Sequence, residues 1–389
     1  MVMLADTDAG SIITAAQSGA RWGYAMILPQ VALIPVLFLV QEMTVRLGVA
    51  TGRGHGELIR ERFGAPWAAL SVATLFLSSV GALITEFAGI AGFGLLFGVP
   101  AWLSVSLSTL LLVALGLSGS YRRVERVGVA VGLLELLFIP AAFMAHPDVG
   151  ALTAGLGRLP LADRGYVFLV AANVGAVIMP WMVFYQQGAV CDKGLRPRQL
   201  AGARWDTLVG SVVTQAVMIA VVVATAATVG RAHPGQELRS VGEIAAALSP
   251  FIGAVAAKVV FGLAVAGASF VAALVVSIAG AYGVGEALGR PHSLNRPVRQ
   301  APLFYGAYTL AHVGGAVLVI LSAGRLVDVS VGVEVMNALL LPVVLGFLLL
   351  LEARALPRRW RMRGAHRLAA WVASALVMAF GLYMAVTMV

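Results

Sequence analysis

Charge is what this chain has least of. Only 12% of its 389 residues are charged while 60% are hydrophobic, and a soluble domain carries about 25% charged residues. A soluble globular protein is therefore excluded. Cysteine is almost absent: the single Cys191 rules out a disulfide framework and a cysteine-based metal site. Lysine is nearly missing too, so the net charge of +9 comes from arginine. These arginines sit in short loops between apolar runs, where they act as topology signals and not as a nucleic-acid-binding face. No P-loop, nucleophile elbow or zinc motif is present, which argues against an enzyme and against an ATP-driven pump. The first residues show neither a basic n-region nor an apolar h-region, so no signal peptide is visible. The Arg-, Ala- and Gly-rich composition points to a GC-rich bacterial genome.

What the chain has is long apolar runs. A helix needs about 20 apolar residues to cross a hydrocarbon core of about 30 Å. After a first, interrupted segment, such runs lie near 25–47, 67–97, 100–119, 126–146, 165–190, 205–229, 250–286, 302–322, 329–351 and 366–388, predicting eleven spans. The 250–286 run is long for one crossing and predicts an extended or tilted end. Alternate loops carry 20 basic residues on one side, among them Arg46, Arg53, Arg122, Arg196, Arg290 and Arg354, against 6 on the other: Arg21, Arg158, Arg164, Arg231, Arg239 and Arg325. The richer side is expected in the cytoplasm, which puts the N-terminus inside and the C-terminus outside.

Two apolar segments are broken in their middles. One reads Ala5-Asp6-Thr7-Asp8-Ala9-Gly10-Ser11; the other reads Gly175-Ala176-Val177-Ile178-Met179-Pro180-Trp181. Unwound backbone at membrane depth is tolerated only where it is buried in protein or lines a cavity. Interruptions at corresponding places in two halves point to a transporter's binding site. The breaks fall in spans one and six, as an inverted repeat of spans 1–5 and 6–10 with an eleventh span outside it requires. Only seven residues precede Asp8, about 10 Å of helix, so the native protein is expected to begin further upstream.

From Asp8 to Tyr24 the chain resembles the first-helix signature of the Nramp divalent-metal transporters, an Asp-Pro-Gly-Asn motif followed by Gly-Tyr. Val174 to Pro180 is similar to that family's sixth-helix motif, in which Met-Pro is followed by His. Arg46-Leu47-Gly48-Val49 with Thr51-Gly52, Tyr121-Arg122-Arg123-Val124-Glu125-Arg126, and Leu248-Ser249-Pro250 through Gly285-Glu286 extend the resemblance over the whole chain. The resemblance implies an all-α membrane protein of one transmembrane domain over 1–389, with a LeuT-type inverted repeat and discontinuous first and sixth helices.

It also implies a metal site. Asp8 aligns with the family's metal-binding aspartate, and an acid beside a mid-membrane break is costly unless it binds something. Ser11 replaces the family's asparagine and keeps an oxygen, while Ala9 replaces its proline. Ala5 and Ala176 align with positions that offer backbone carbonyls. Met179 aligns with a methionine whose thioether favours transition metals, although a methionine in an apolar helix is more often packing. Asp6 and Glu334 are additional acids, the latter where relatives carry glutamine. Trp181 and Gln186 stand at two histidine positions associated with proton coupling, and neither side chain titrates. Glu86 falls near an acid of the family's proton path.

Extra carboxylates and the shorter Ser11 suggest a wide, oxygen-rich site suited to Mg²⁺, so the chain looks like the Nramp-related magnesium transporters, with Met179 arguing mildly the other way. The expected function is secondary transport of Mg²⁺ and/or Mn²⁺ without proton coupling. Its partners are the divalent ion as substrate and the lipid bilayer of the bacterial plasma membrane. No resident cofactor and no nucleic acid are implied, and a monomer is the expected unit. Competing readings are a proton-coupled Mn²⁺/Fe²⁺ importer of the same family and a sodium-coupled organic-solute transporter of the same architecture; two acids at a break fit a cation better than a carboxylate substrate. A non-transporting sensor is disfavoured by the absence of a soluble domain. Glu135 and Lys258 are unusual in lipid and are expected to pair with neighbours. Glu42 and Arg46 are spaced for a helical ion pair, and His312 is expected to be packed.

Overall fold

The computed structural model describes residues 1–238, 241–321 and 326–387. Arg239, Arg325 and the last residues of the predicted 302–322 and 366–388 spans lie outside them. The described residues are almost wholly helical, and each predicted span has a helix in its place. The first is split into Val2–Asp6 and Ala9–Trp22, and the sixth into Arg164–Val177 and Pro180–Asp192. The second to fifth comprise Ile27–Thr51, Ala65–Leu96, Ala101–Leu117 and Tyr121–Met144. The seventh is Leu200–Thr225, followed by a π-helical turn, Ala226–Gly230. Ala254–Leu288, Pro302–Leu321, Leu326–Arg354 and Gly364–Thr387 complete the set.

The packing follows from small residues. The third and eighth spans form the most extensive helix pair, and both carry many Ala, Gly and Ser positions that let backbones approach closely in a bilayer. The N-terminal half of the sixth span packs on the tenth, and Ala9–Trp22 packs on the seventh and tenth. The two broken helices therefore sit in the middle of the bundle. Large apolar side chains on the fourth, ninth and eleventh spans, such as Leu110, Leu310 and Leu376, face outward; contact with lipid tails makes that exposure ordinary.

The 250–286 run is long for one crossing, as expected: all but its first residues form the 35-residue helix Ala254–Leu288, and Gly253, with a φ of 83°, separates it from the preceding helix Val241–Ile252. Two other expectations change in detail. Lys258 is exposed within the first two turns of that helix, where a long side chain can snorkel to the headgroups. Glu42 does more than pair with Arg46: its buried carboxylate also holds Arg204 Nε at 3.0 Å and His366 Nε2 at 3.3 Å. It thereby ties the second, seventh and eleventh spans together. His312 is packed as expected, against Ser277 and Tyr308.

Candidate metal-transport site

The first break is an N-cap placed in mid-bundle. Asp8 takes an extended conformation (φ −73°, ψ 174°), and its Oδ1 accepts a 2.7 Å hydrogen bond from the Ser11 backbone N–H. A capping carboxylate satisfies a donor that a helix start leaves free. Asp8 Oδ2 has no partner. The second break is made by Ile178 (φ −122°, ψ 88°) and the extended Met179, ahead of Pro180 at the first helical position. Proline fits there because that N–H has no intrahelical acceptor.

One bond joins the two breaks: the Ser11 hydroxyl donates to the Ala176 carbonyl oxygen at 2.8 Å. Around it converge acids from other spans. Glu86 Oε2 accepts from the Ala9 N–H at 3.2 Å and faces Asp8. Glu334 lies against Gly10, where a Cβ would stand 2.2 Å from its Oε1. Glu334 Oε2 accepts from Asn337 Nδ2 at 3.0 Å, and Asn337 Oδ1 in turn accepts from the Ser78 hydroxyl at 2.7 Å. Asp6 is buried with both carboxylate oxygens unpartnered. The sequence-predicted residues Asp6, Asp8, Ser11, Ala176 and Glu334 are thus gathered around the two breaks, and Ala5 and Met179 are buried beside them in the chain.

The two breaks predict a central cavity faced by both Asp8 and Met179; in the structure both side chains are fully buried. The two breaks are joined by the Ser11–Ala176 bond. Among the described residues no three His, Cys, Asp or Glu side chains form a preformed metal cage.

Sequence reasoning missed Thr7, Asn337 and Ser78. Asn337 carried a readable signal, since it stands three residues after Glu334 on one helix and so shares its face. It also missed a neutral chain on the other side of the break, in which Asn173 Nδ2 donates to Ser18 Oγ at 2.7 Å and Gln30 donates to Asn173 Oδ1. Trp181 is fully buried with its Nε1 unpartnered, while Gln186 lines a small cavity with Tyr121, Tyr185 and Asp206.

The histidine that does approach the sixth span is His55, the first residue of the short helix His55–Phe63 between the second and third spans. Its Nδ1 is 3.2 Å from Gln187 Oε1 and its ring meets Phe184 edge-on. Burial lowers its pKa to about 4, although Gln187 favours the protonated form. The unfolded chain then takes up the proton first, so the stabilisation is complete above pH of about 6.5 and is lost as pH falls toward about 4, some 3 kcal/mol in all. The melting temperature in detergent should fall less steeply on acidification for His55→Gln than for the wild type. Identical slopes contradict this account of His55.

The chain is similar to known transporters. The family model described as "Natural resistance-associated macrophage protein-like" (Nramp) matches residues 1–387. The divalent metal cation transporter MntH of Yersinia pestis is 31% identical over 290 residues, 71% of this chain and 69% of that protein. Among solved structures, the Eremococcus coleocola manganese transporter superposes with a TM-score of 0.76 at 16% identity, over 98% of this chain and 84% of its own. The nucleobase-cation-symport-1 transporter Mhp1 gives 0.66 at 13% identity, over 100% and 90%. Those two likenesses show the fold, which is the LeuT type with discontinuous first and sixth helices. With the family profile matching residues 1–387 and a relative 31% identical over 290 residues, the chain belongs to the Nramp family.

Proposed function

We propose that this protein is a secondary transporter that carries divalent metal cations, Mg²⁺ and/or Mn²⁺, across the bacterial inner membrane by alternating access, without a proton partner. The observation that carries the reading is the junction of the two breaks, where Asp8 Oδ2 and Glu334 Oε1 are buried beside the Ser11–Ala176 bond with no partner of their own. Buried carboxylates without compensation cost several kcal/mol each, and a divalent cation compensates two. The ligands are Asp8, Ser11, the carbonyls of Ala5 and Ala176, Met179, Glu334 and Asp6. Oxygen donors in excess suit a hard ion that keeps some of its waters. The single thioether admits Mn²⁺ beside Mg²⁺.

The lack of proton coupling rests on Trp181 and Gln186. A relay needs groups that change protonation along the path, and neither side chain does. The membrane potential suffices as a driving force: about 2.3 kcal/mol per charge per 100 mV, or roughly 4.6 kcal/mol for a divalent ion. The arginine distribution supports an N-terminus in the cytoplasm.

The test is uptake into proteoliposomes that hold a metal-sensitive dye and a pH dye, using the chain with and without an N-terminal extension. Mg²⁺ or Mn²⁺ should enter with no acidification beyond that of protein-free vesicles. Acidification that depends on added metal contradicts uncoupled transport and supports a proton-coupled Mn²⁺/Fe²⁺ importer, in which Glu86 at the Ala9 N–H carries the proton. Uptake of neither ion contradicts the proposal as a whole.

A further inference from the structure

The fifth span is irregular at one place. Between Tyr121–Gly132 and Phe138–Met144 the helix tightens to a 3₁₀ turn, Leu133–Leu137. A mid-helix 3₁₀ stretch often marks a functional position. At its centre stands Glu135, completely buried while its neighbours Leu133 and Leu134 keep contact with the outside. Its carboxylate reaches the first break, where Oε2 accepts from the Thr7 hydroxyl and Oε1 has no partner at all. The same Thr7 Oγ1 lies 3.1 Å from the Leu4 carbonyl oxygen. Next to Thr7 comes Asp6, 1% exposed, with both oxygens unpartnered. The charges of Asp6, Asp8 and Glu135 lie close enough to repel one another.

Three further facts make this more than a cluster of acids. Val2–Asp6 ends here, and the free carbonyls at a helix C-terminus present a negative pole that attracts cations. No Lys, Arg or His among the described residues forms an ion pair with Asp6 or Glu135. The third is charge balance. Asp6, Asp8, Glu86, Glu135 and Glu334 are all buried around the two breaks. One divalent cation at the Ser11–Ala176 junction compensates two of those carboxylates and leaves three, of which Glu135 also feels the chain's N-terminal ammonium.

We infer a second cation site on the N-terminal side of the first break, formed by the carboxylates of Asp6 and Glu135 with the hydroxyl of Thr7. This inference rests on the divalent-cation reading above and adds a station to it. The donors are all oxygen, without the thioether that Met179 offers to the central site, so the station takes a hard divalent cation, Mg²⁺ or Mn²⁺. Asp6 is shared between the two sites and lies on the route from one to the other. An ion leaving the Asp8–Met179 site toward the N-terminal side passes to Asp6 and Glu135 before it regains its water. Multiple sites of moderate strength let an ion enter a charged path and still leave it.

The test is Mn²⁺ stoichiometry at equilibrium on the purified full-length chain in detergent, read by dialysis and by the EPR signal of free Mn²⁺. Glu135→Gln removes the charge and keeps a polar partner for Thr7, and Asp6→Asn is the second variant; a monodisperse elution profile establishes that each is folded. The wild type should bind about two Mn²⁺ per chain, Glu135→Gln about one, and Asp6→Asn, which removes a ligand shared with the central site, one or fewer, with Mg²⁺ competing at both sites. Equal stoichiometry in the wild type and Glu135→Gln overturns the inference, whatever the number. If that number is one or more, the divalent-cation reading of the central site stands; if it is zero, both fall together.

Discussion

Replacing Asp8 by alanine should abolish Mg²⁺ and Mn²⁺ transport, reducing uptake by at least about 100-fold, the upper end of what the loss of a supporting partner of a metal ligand costs. Asp8 has two jobs on its two oxygens. Oδ1 caps the helix that starts at Ala9, and Oδ2 has no hydrogen-bond partner. Loss of the cap alone costs about 1 kcal/mol, which a helix packed on the seventh and tenth spans survives. Loss of the charge leaves an ion partly dehydrated at the bilayer centre with too little compensation. The variant should therefore insert and purify as a monodisperse species yet carry no metal. Asp8→Asn separates the two roles: it keeps a capping oxygen and should still be inactive. Normal uptake by either variant removes Asp8 from the site.

Gly175→Ala should be nearly as damaging, through packing alone. A Cβ at that position would stand 1.7 Å from the Glu334 carbonyl oxygen and 2.8 Å from the Ala338 N. Both are backbone atoms of the tenth span, so no side chain can swing away. Overpacking of this kind typically costs about 1–3 kcal/mol, and relief requires the sixth and tenth spans to separate. That displacement withdraws Glu334 from Gly10 and moves Ala176, the acceptor of the Ser11 hydroxyl, away from the first break. We expect a lower melting temperature together with a drop in uptake of roughly 10-fold or more, since misplacements of about 1 Å at a preorganised site cost on that order or above. Unchanged uptake would show that the approach of the two spans is not needed for transport.

How far the sequence disclosed this arrangement differs from place to place, for physical reasons. Span lengths were readable because hydrocarbon thickness fixes them, and the first break because Asp6 and Asp8 are acids set close together at the head of an apolar run. Met179-Pro180 announced a helix start, and the structure puts Pro180 at the first helical position. Glu42–Arg46 was legible because it is local. The contacts of Glu42 with Arg204 and His366 were not, since nothing in a sequence says which distant helix end meets it. Glu135 shows the same limit: it stood out as an acid in lipid, but its partner Thr7 lies 128 residues away. Gly175 gave no sign that a backbone oxygen occupies the place of its absent Cβ. The closed packing around Asp8 and Met179 was equally hidden, because the open and shut forms of a transporter share one sequence.

The most direct test of the central claim is to locate the ion. Crystals grown with Mn²⁺ and measured at the manganese absorption edge should show an anomalous peak between the two breaks, within coordination distance of Asp8 and of the Met179 thioether. The peak should vanish in Asp8→Ala crystals grown under the same conditions. A peak that persists in that variant, or a strong peak elsewhere in the bundle with none at the breaks, contradicts the assignment of the transport site.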